Sequence, residues 1–178
     1  MRRILLAFIC AIAACSDGRG TEVKRGVATA ADSADQVLYG VQAPFEVGGI
    51  KRGTLYADTM YVMNDMTRFD FTVGHVDFNT ELGVPNGSMK ADRGRYDQRK
   101  QILEGWGHVV IKMVDGRELR SPHIIYNQAQ DKITSDTTFE AFDGDKHSTG
   151  IGFITDSHLQ KKTCLRSCSG TGQVSIPK

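Results

Sequence analysis

The sequence predicts an all-β protein with a single domain, and three observations support this prediction. Apolar residues recur with a period of two along short runs. Turn-forming pairs separate these runs at intervals of roughly eight to twelve residues. No long segment shows the helical period. These features are typical of an antiparallel sandwich, barrel or jellyroll, and the pattern alone does not choose between the three.

The N-terminal 36 residues are predicted to precede the folded domain. Residues 1–14 begin with two arginines and continue as an apolar run, which is typical of a secretory signal peptide. The motif Ile-Ala-Ala-Cys that ends at Cys15 resembles a bacterial lipobox, so we expect cleavage before Cys15 and lipidation of its thiol. A plain cleaved signal with an incidental cysteine is the alternative. Residues 15–36 therefore comprise the lipidated cysteine and a small, polar, flexible linker, and residues 37–178 form the domain.

Alternation along the chain predicts the strands in order. Phe69, Phe71 and Val73 share one face of the strand over 66–73. Likewise, one face of 107–114 presents Val109, Ile111 and Met113, and the Asp-Gly pair that follows is a strong hairpin signal. The other predicted strands are 54–63, 87–92, 101–105, 123–127, 132–135, 138–142, 149–155 and 172–176. Predicted turn pairs are Asp115-Gly116, Asn86-Gly87, Asp143-Gly144 and Ser169-Gly170.

A weak repeat predicts aspartates at the ends of several strands. The segment GTLYAD ends at Asp58 and returns 34 residues later as GSMKAD, which ends at Asp92; weaker copies end at Asp136 and Asp156. We expect each carboxylate to accept backbone N–H bonds in the turn that follows. A glycosidase also uses two carboxylates that face a cleft, but it needs them in unlike environments. The four aspartates occupy equivalent positions in the repeat, which favours a structural role.

Composition and missing motifs argue against several function classes. A net charge of +1, from 22 basic and 21 acidic residues, gives little attraction to nucleic acid. The sequence lacks the phosphate-binding loop, the serine-hydrolase elbow, the zinc-protease motif and the C-x-x-C redox motif. None of its five histidines has the spacing of a metal ligand pair. We therefore predict no catalytic residue, no cofactor and no metal.

Two cysteines of the predicted mature domain remain to be explained, Cys164 and Cys168. A secreted protein meets oxidising conditions, which favour disulfides. An extended strand would place their Cα atoms about 13 Å apart, whereas a disulfide requires less than about 7 Å. A bridge between them therefore needs a turn, and the sequence leaves both states open.

The apolar face of the strands is the remaining candidate for function. A packed core and a groove for acyl chains look alike in sequence, so both interpretations stay open. The candidate lipid-binding residues are Phe69, Phe71, Val73, Val109, Ile111, Met113, Phe139, Ile151 and Phe153.

Five segments taken together resemble the LptC family of lipopolysaccharide-export proteins. They are GSMKADRGRY over 87–96, ILEGWGHVVI over 102–111, LRS over 119–121, ITSD over 133–136 and GIGFITD over 150–156, in the order and spacing of that family. The resemblance spans residues 37–176 and implies a twisted, open antiparallel β-jellyroll. It also implies a periplasmic, non-enzymatic protein that binds lipopolysaccharide and relays it.

The resemblance implies particular partners and assembly residues. Lipopolysaccharide would arrive from an inner-membrane ABC transporter with an LptF/LptG-type jellyroll and leave to an LptA-like periplasmic protein. Edge strands near 37–41 and 173–176 would join neighbouring jellyrolls. Gly150 and Gly152 lie in a late family strand where a missing side chain permits close approach, so a large residue at Gly150 is expected to impair binding or assembly. Asp58 and Asp92 are expected to be structural.

The chain departs from the family at its N-terminus. Familiar members carry a transmembrane helix, whereas here the lipid on Cys15 is expected to anchor the protein to the inner membrane, with the outer membrane as the alternative. Two other functions remain open: a scaffold lipoprotein with a solid core that acts through its sheet edges, and a sugar-active enzyme using two aspartates.

Overall fold

Nine strands form one antiparallel sheet in which neighbours along the chain are also neighbours in space. The computed structural model describes residues 29–47, 49–80 and 82–171, and the strand count refers to these residues. The strands are β1 (Gln36–Val47), β2 (Ile50–Met63), β3 (Arg68–Asn79), β4 (Pro85–Asp97), β5 (Ile102–Met113), β6 (Glu118–Asn127), β7 (Lys132–Asp143), β8 (Lys146–Thr155) and β9 (Thr163–Gly170). A short 3₁₀ helix over Ala30–Ser33 precedes β1.

The sheet stays open because its first and last strands do not meet. Within the described residues β1 pairs with β2 alone and β9 with β8 alone. This arrangement confirms the predicted all-β, open antiparallel jellyroll. The strand predicted over 172–176 and the leader with Cys15 both lie outside the described residues. No helix in the described ranges has the length and apolar character needed to cross a bilayer.

Several predicted strands are halves of longer ones. The predictions over 132–135 and 138–142 are the two halves of β7, and 123–127 is the second half of β6. Asn86-Gly87 is not a turn, because both residues lie inside β4 and the chain reverses earlier, where the N–H of Gly83 donates to the carbonyl of Thr80. Alternation breaks in mid-strand, so one bent strand looks like two in sequence.

A bend crosses the sheet near the middle of its strands. In β3 the buried positions are Phe71 and then Gly74 and Val76, so the inward-facing phase shifts by one residue at Val73, whose φ is 48°. Register shifts mark the same level in β4–β9. Positive φ values occur there at Gly40, Val73, Gly107, Gly152 and Ser167.

The bend divides the sheet into two leaves whose inner faces share one hydrophobic cluster. Leaf A consists of the strand halves next to the β1–β2, β3–β4, β5–β6 and β7–β8 connections, and the end of β9. Leaf B consists of the halves that adjoin turns 64–67, 98–101, 128–131 and 156–162. Next to the bend, large side chains fill the space between the leaves, namely Phe71, Val109, Ile124, Phe139 and Phe153, each at most 2% exposed. The interior beside the bend is therefore solid.

The repeated aspartates mark the bend rather than the strand ends. Asp58, Asp92 and Asp136 lie in mid-strand, so the prediction that they close their strands is wrong for these three. Asp92 links β4 to β5, since its carboxylate accepts a hydrogen bond from the backbone N–H of His108 at 3.2 Å and lies 2.8 Å from Nδ1 of the same residue. Asp156 does follow its strand, and it accepts backbone N–H bonds in the next turn from Gln160 and Lys161, at 2.8 and 3.2 Å.

A disulfide joins Cys164 to Cys168 across the bend of β9. Their Cα atoms are 6.0 Å apart, within disulfide reach, because the strand turns sharply around Ser167, whose φ is 49°. Cys164 belongs to leaf B and is fully buried, whereas Cys168 begins the leaf A half. The bridge therefore braces the two leaves against each other at one edge of the sheet.

Candidate functional site

Away from the bend the leaves separate and enclose a cavity of about 540 Å³, which we call the slot. Its volume lies within the range of about 300–1,000 Å³ that is usual for ligand pockets. Its apolar walls are Phe78, Leu82, Met89, Ile111, Met113, Tyr126 and Ile133. Its polar lining is Arg52, Asn79, Thr80, Asn86, Gln128, Asp131, Ser157 and His158. An apolar interior with polar groups around it suits a ligand that has a hydrocarbon part and a polar part.

Strand pairing places the wall residues in rows. On leaf A, Met89 pairs with Ile111, and the next row outward joins Phe78 to Met113 through Gly87. On leaf B, Tyr126 pairs with Ile133. Because side chains alternate between faces, residues two apart on each strand point inward together. The slot forms where these rows face each other without meeting.

The polar lining connects the two leaves. Asn86 Nδ2, on leaf A, lies 3.4 Å from Nδ1 of His158, which belongs to the turn after β8. Burial raises the pKa of the Tyr126 phenol, and the charge of Asp131 adds to this effect; a hydrogen bond with Ser157 and the charge of Arg52 oppose it. Tyr126 is therefore a neutral phenol at physiological pH.

Two of the nine predicted lipid-binding residues, Ile111 and Met113, line the slot. Four others, Phe71, Val109, Phe139 and Phe153, lie in the solid core beside the bend. Phe69 is half-buried and stacks on Tyr96, with ring centroids 6.4 Å apart.

The remaining two predicted residues do not face the interior. Val73 is 61% exposed, and half-buried Ile151 lies on the outer face of β8, where Gly150 and Phe153 point inward. The prediction that Val73 shares a face with Phe71, and Ile151 with Phe153, was wrong. In both strands the bend shifts the alternation of inward and outward residues by one position. Sequence reasoning also missed Phe78, which follows buried Val76 with period two and so carried a usable signal.

The wall residues Met89, Tyr126 and Ile133 were also missed. All three lie in strands that the sequence predicts, but the face of each strand depends on where the bend falls. The opposing leaf then decides whether an inward side chain packs or borders a space.

The two predicted glycines act through packing and backbone shape. A Cβ atom on Gly150 would lie 2.5 Å from Sγ of Cys164 and 2.9 Å from the ring of Phe139. Gly152 has a φ of 73° at the bend, a conformation that favours glycine. The structure thus gives Gly150 a role beside the disulfide; whether a larger residue there impairs binding or assembly stays a prediction.

A larger hollow of about 930 Å³ lies mainly against the outer face of β4–β9. Three predicted lipid-binding residues, Val109, Phe139 and Ile151, border it beside the charged residues Lys90, Lys112, Glu118, Arg120 and Glu140. Glu118 pairs with Lys112 at 3.4 Å and with Arg120 at 2.6 Å. These pairs satisfy one another in an open, solvated surface. Within the described residues, no group of three or more histidine, cysteine or carboxylate side chains is placed to hold a metal ion. The slot is the better candidate site because it lies between the two leaves, whereas the hollow is more open to solvent.

Fold and slot together define the class: an open β-jellyroll with a cavity between its two leaves. The chain belongs to the LptC-related family of lipopolysaccharide-assembly proteins, whose model matches residues 4–170. This match confirms the resemblance seen in the five segments and gives the protein a role in lipopolysaccharide transport. The family consists of transport components, not enzymes.

Comparison with solved structures shows the same fold in another protein. It is LptH from Pseudomonas aeruginosa, described as the LptA-homologous periplasmic component of a lipopolysaccharide transport device. The two chains are 9% identical, with a TM-score of 0.56 over 67% of this chain and 93% of that one. No curated protein matches the sequence.

Proposed function

We propose that this protein is a periplasmic relay that holds acyl chains of lipopolysaccharide in the slot and passes the lipid onward. The slot between the leaves is the observation that carries the proposal, since its apolar walls and polar lining match an amphiphile. The sugar and phosphate part of the lipid would remain at the polar lining or in solvent. The relay itself requires no bond to be made or broken.

Energetics favour a carrier of this kind. Each buried CH₂ contributes about 0.8 kcal/mol, which is close to what the same group gains in a bilayer or in a similar protein. Transfer between such sites is then nearly level in free energy. Direction must come from elsewhere, and we assign it to an inner-membrane ABC transporter with an LptF/LptG-type jellyroll, which would deliver the lipid.

Open sheet edges supply a way to pass the lipid on. Both β1 and β9 present one unpaired edge within the described residues. Such edges accept a strand from another protein. We propose that one edge meets the jellyroll of the transporter and the other an LptA-like periplasmic protein, so that the slots adjoin. The signal peptide over 1–14 and a lipid on Cys15 would anchor this assembly to the inner membrane.

Photo-crosslinking tests the slot with a matched pair of aromatic positions. A benzophenone side chain replaces Phe78, which lines the slot, or Phe142, which is half-buried on the outer face of leaf A. We expect lipopolysaccharide to crosslink at position 78 and not at position 142. A third probe at Leu165, on edge strand β9 and 38% exposed, reports protein partners.

The same experiment decides between a relay and a scaffold. Lipid labelling at position 78 that exceeds labelling at position 142 supports the relay. Protein labelling at position 165 with no lipid labelling at position 78 supports a scaffold that works through its edges, and the relay would then be abandoned.

A further inference from the structure

One buried amide that lines the slot has a hydrogen-bonding group to spare. Gln128, in the turn between β6 and β7, is 8% exposed, and its Oε1 accepts a hydrogen bond from the Tyr96 hydroxyl at 3.3 Å. Its backbone N–H donates to the carbonyl of Gln101 at 3.0 Å, so hydrogen bonds fix both the backbone and the end of the side chain. Its side-chain Nε2 is buried and has no hydrogen-bond partner among the described residues.

An unpaired donor in this position favours one kind of ligand atom. Leaving a buried N–H without an acceptor is costly, and the nearby slot walls formed by Tyr126 and Ile133 are mainly hydrocarbon. A ligand made only of CH₂ groups would leave the donor unsatisfied. A carbonyl oxygen would satisfy it without bringing a further donor that itself needs a partner.

We propose that Gln128 is a specificity residue of the slot, donating a hydrogen bond from Nε2 to an ester or amide carbonyl of a bound acyl chain. This inference rests on the proposed function, because it requires that the slot hold such chains. It adds that the protein distinguishes acyl chains from alkyl chains of the same length. The second hydrogen-bonding end of the amide, Oε1, remains on Tyr96 and fixes the direction in which Nε2 points.

Two matched detergents test this discrimination on the whole protein. Decanoyl-N-methylglucamide carries an amide carbonyl at the start of its chain and an open-chain polyol, whereas decyl glucoside carries an ether oxygen there and a glucose ring. Because the head groups also differ, the change in the ratio caused by Gln128→Leu is what assigns it to the carbonyl. Each is titrated below its micelle concentration against a solvatochromic dye bound in the slot. A single hydrogen bond corresponds to an affinity ratio of roughly 2- to 12-fold, so we expect the glucamide to bind tighter by that factor.

Variants then assign the ratio to one group. Gln128→Leu should bring the two affinities together by weakening the glucamide alone. Tyr96→Phe removes the hydroxyl that orients the amide but keeps the Nε2 donor, so the ratio should fall by less than it does in Gln128→Leu. Thermal unfolding of each variant shows whether it is folded; if Gln128→Leu is not, Gln128→Met, which also lacks the donor and keeps the length of the side chain, takes its place.

The outcomes separate this inference from the function on which it rests. Equal affinities of the wild-type protein for the two detergents overturn the role of Gln128 and leave the slot as a lipid site. A ratio that survives Gln128→Leu also overturns that role. If neither detergent displaces the dye, both the acyl-chain slot and the inference fail.

Discussion

Replacing Gly150 with alanine tests how the disulfide and the core fit together. A Cβ atom at position 150 would lie 2.5 Å from Sγ of Cys164, 2.9 Å from the ring of Phe139 and 3.1 Å from the carbonyl oxygen of Arg166. The first two neighbours are themselves buried, so neither moves aside easily. Forcing one methyl group into a filled core costs about 1–3 kcal/mol. We expect Gly150→Ala to lower the free energy of unfolding by that amount.

Gly105 provides the matched control. It also lies inward on a strand, but a Cβ atom there would meet Ala91 at 3.4 Å and Val109 at 3.5 Å, which are ordinary contacts. Alanine restricts the unfolded chain more than glycine does, so Gly105→Ala should be neutral or stabilising by up to about 1 kcal/mol. Urea unfolding with an unchanged m-value measures both variants.

A double-mutant cycle isolates the sulfur contact. In a protein that already carries Cys164→Ala and Cys168→Ala, Sγ is gone, so the cost of Gly150→Ala should fall by about 0.5 kcal/mol or more, the usual interaction energy of residues in contact. The reasoning is refuted if Gly150→Ala is as stable as the wild type, or if Gly105→Ala loses as much. An unchanged cost in the protein without the disulfide would show that Phe139 and the backbone, not the disulfide, set the limit.

Three further predictions concern the brace, the slot and pH. Removing the disulfide by Cys164→Ala with Cys168→Ala should cost about 2 kcal/mol in urea unfolding, since the bridge closes only a short loop; an equal stability of oxidised and reduced wild type would contradict this. Phe78→Trp narrows the slot and should weaken lipopolysaccharide binding by roughly fivefold or more in a dye-displacement assay. The control Val110→Trp, on the outer face, should leave binding unchanged, and equal losses in the two variants would contradict a binding role for the slot. Burial raises the pKa of Tyr126 above its ordinary value of 10.0, so the folded state favours the neutral phenol. The free energy of unfolding should therefore fall as pH rises from the unfolded-state pKa through the higher folded-state pKa. Urea unfolding between pH 9 and 11 should show this fall reduced in Tyr126→Phe, and identical pH profiles would refute it.

Local patterns in the sequence determined most of the strands and two of their turns, whereas β9 was missed and the predicted turn pair Ser169-Gly170 lies inside it. Alternation along residues 107–114 placed Val109, Ile111 and Met113 on one inward face, and the structure confirms that face because β5 keeps its phase through the bend. The pairs Asp115-Gly116 and Asp143-Gly144 lie in the expected turns, with positive φ at both glycines. Such features depend on neighbouring residues alone, and family membership added the open jellyroll.

Tertiary structure decided which inward positions form a site. A phase shift at the bend sends Val73 and Ile151 outward, and no local periodicity reveals where that shift falls. The distance between the leaves then determines whether a side chain packs, as Phe71 does, or lines a space, as Met89 does. The disulfide has the same origin, since Cys164 and Cys168 come within reach only because β9 folds on itself. Alternation reports which way a residue points, but what it meets there depends on strands far away in the chain.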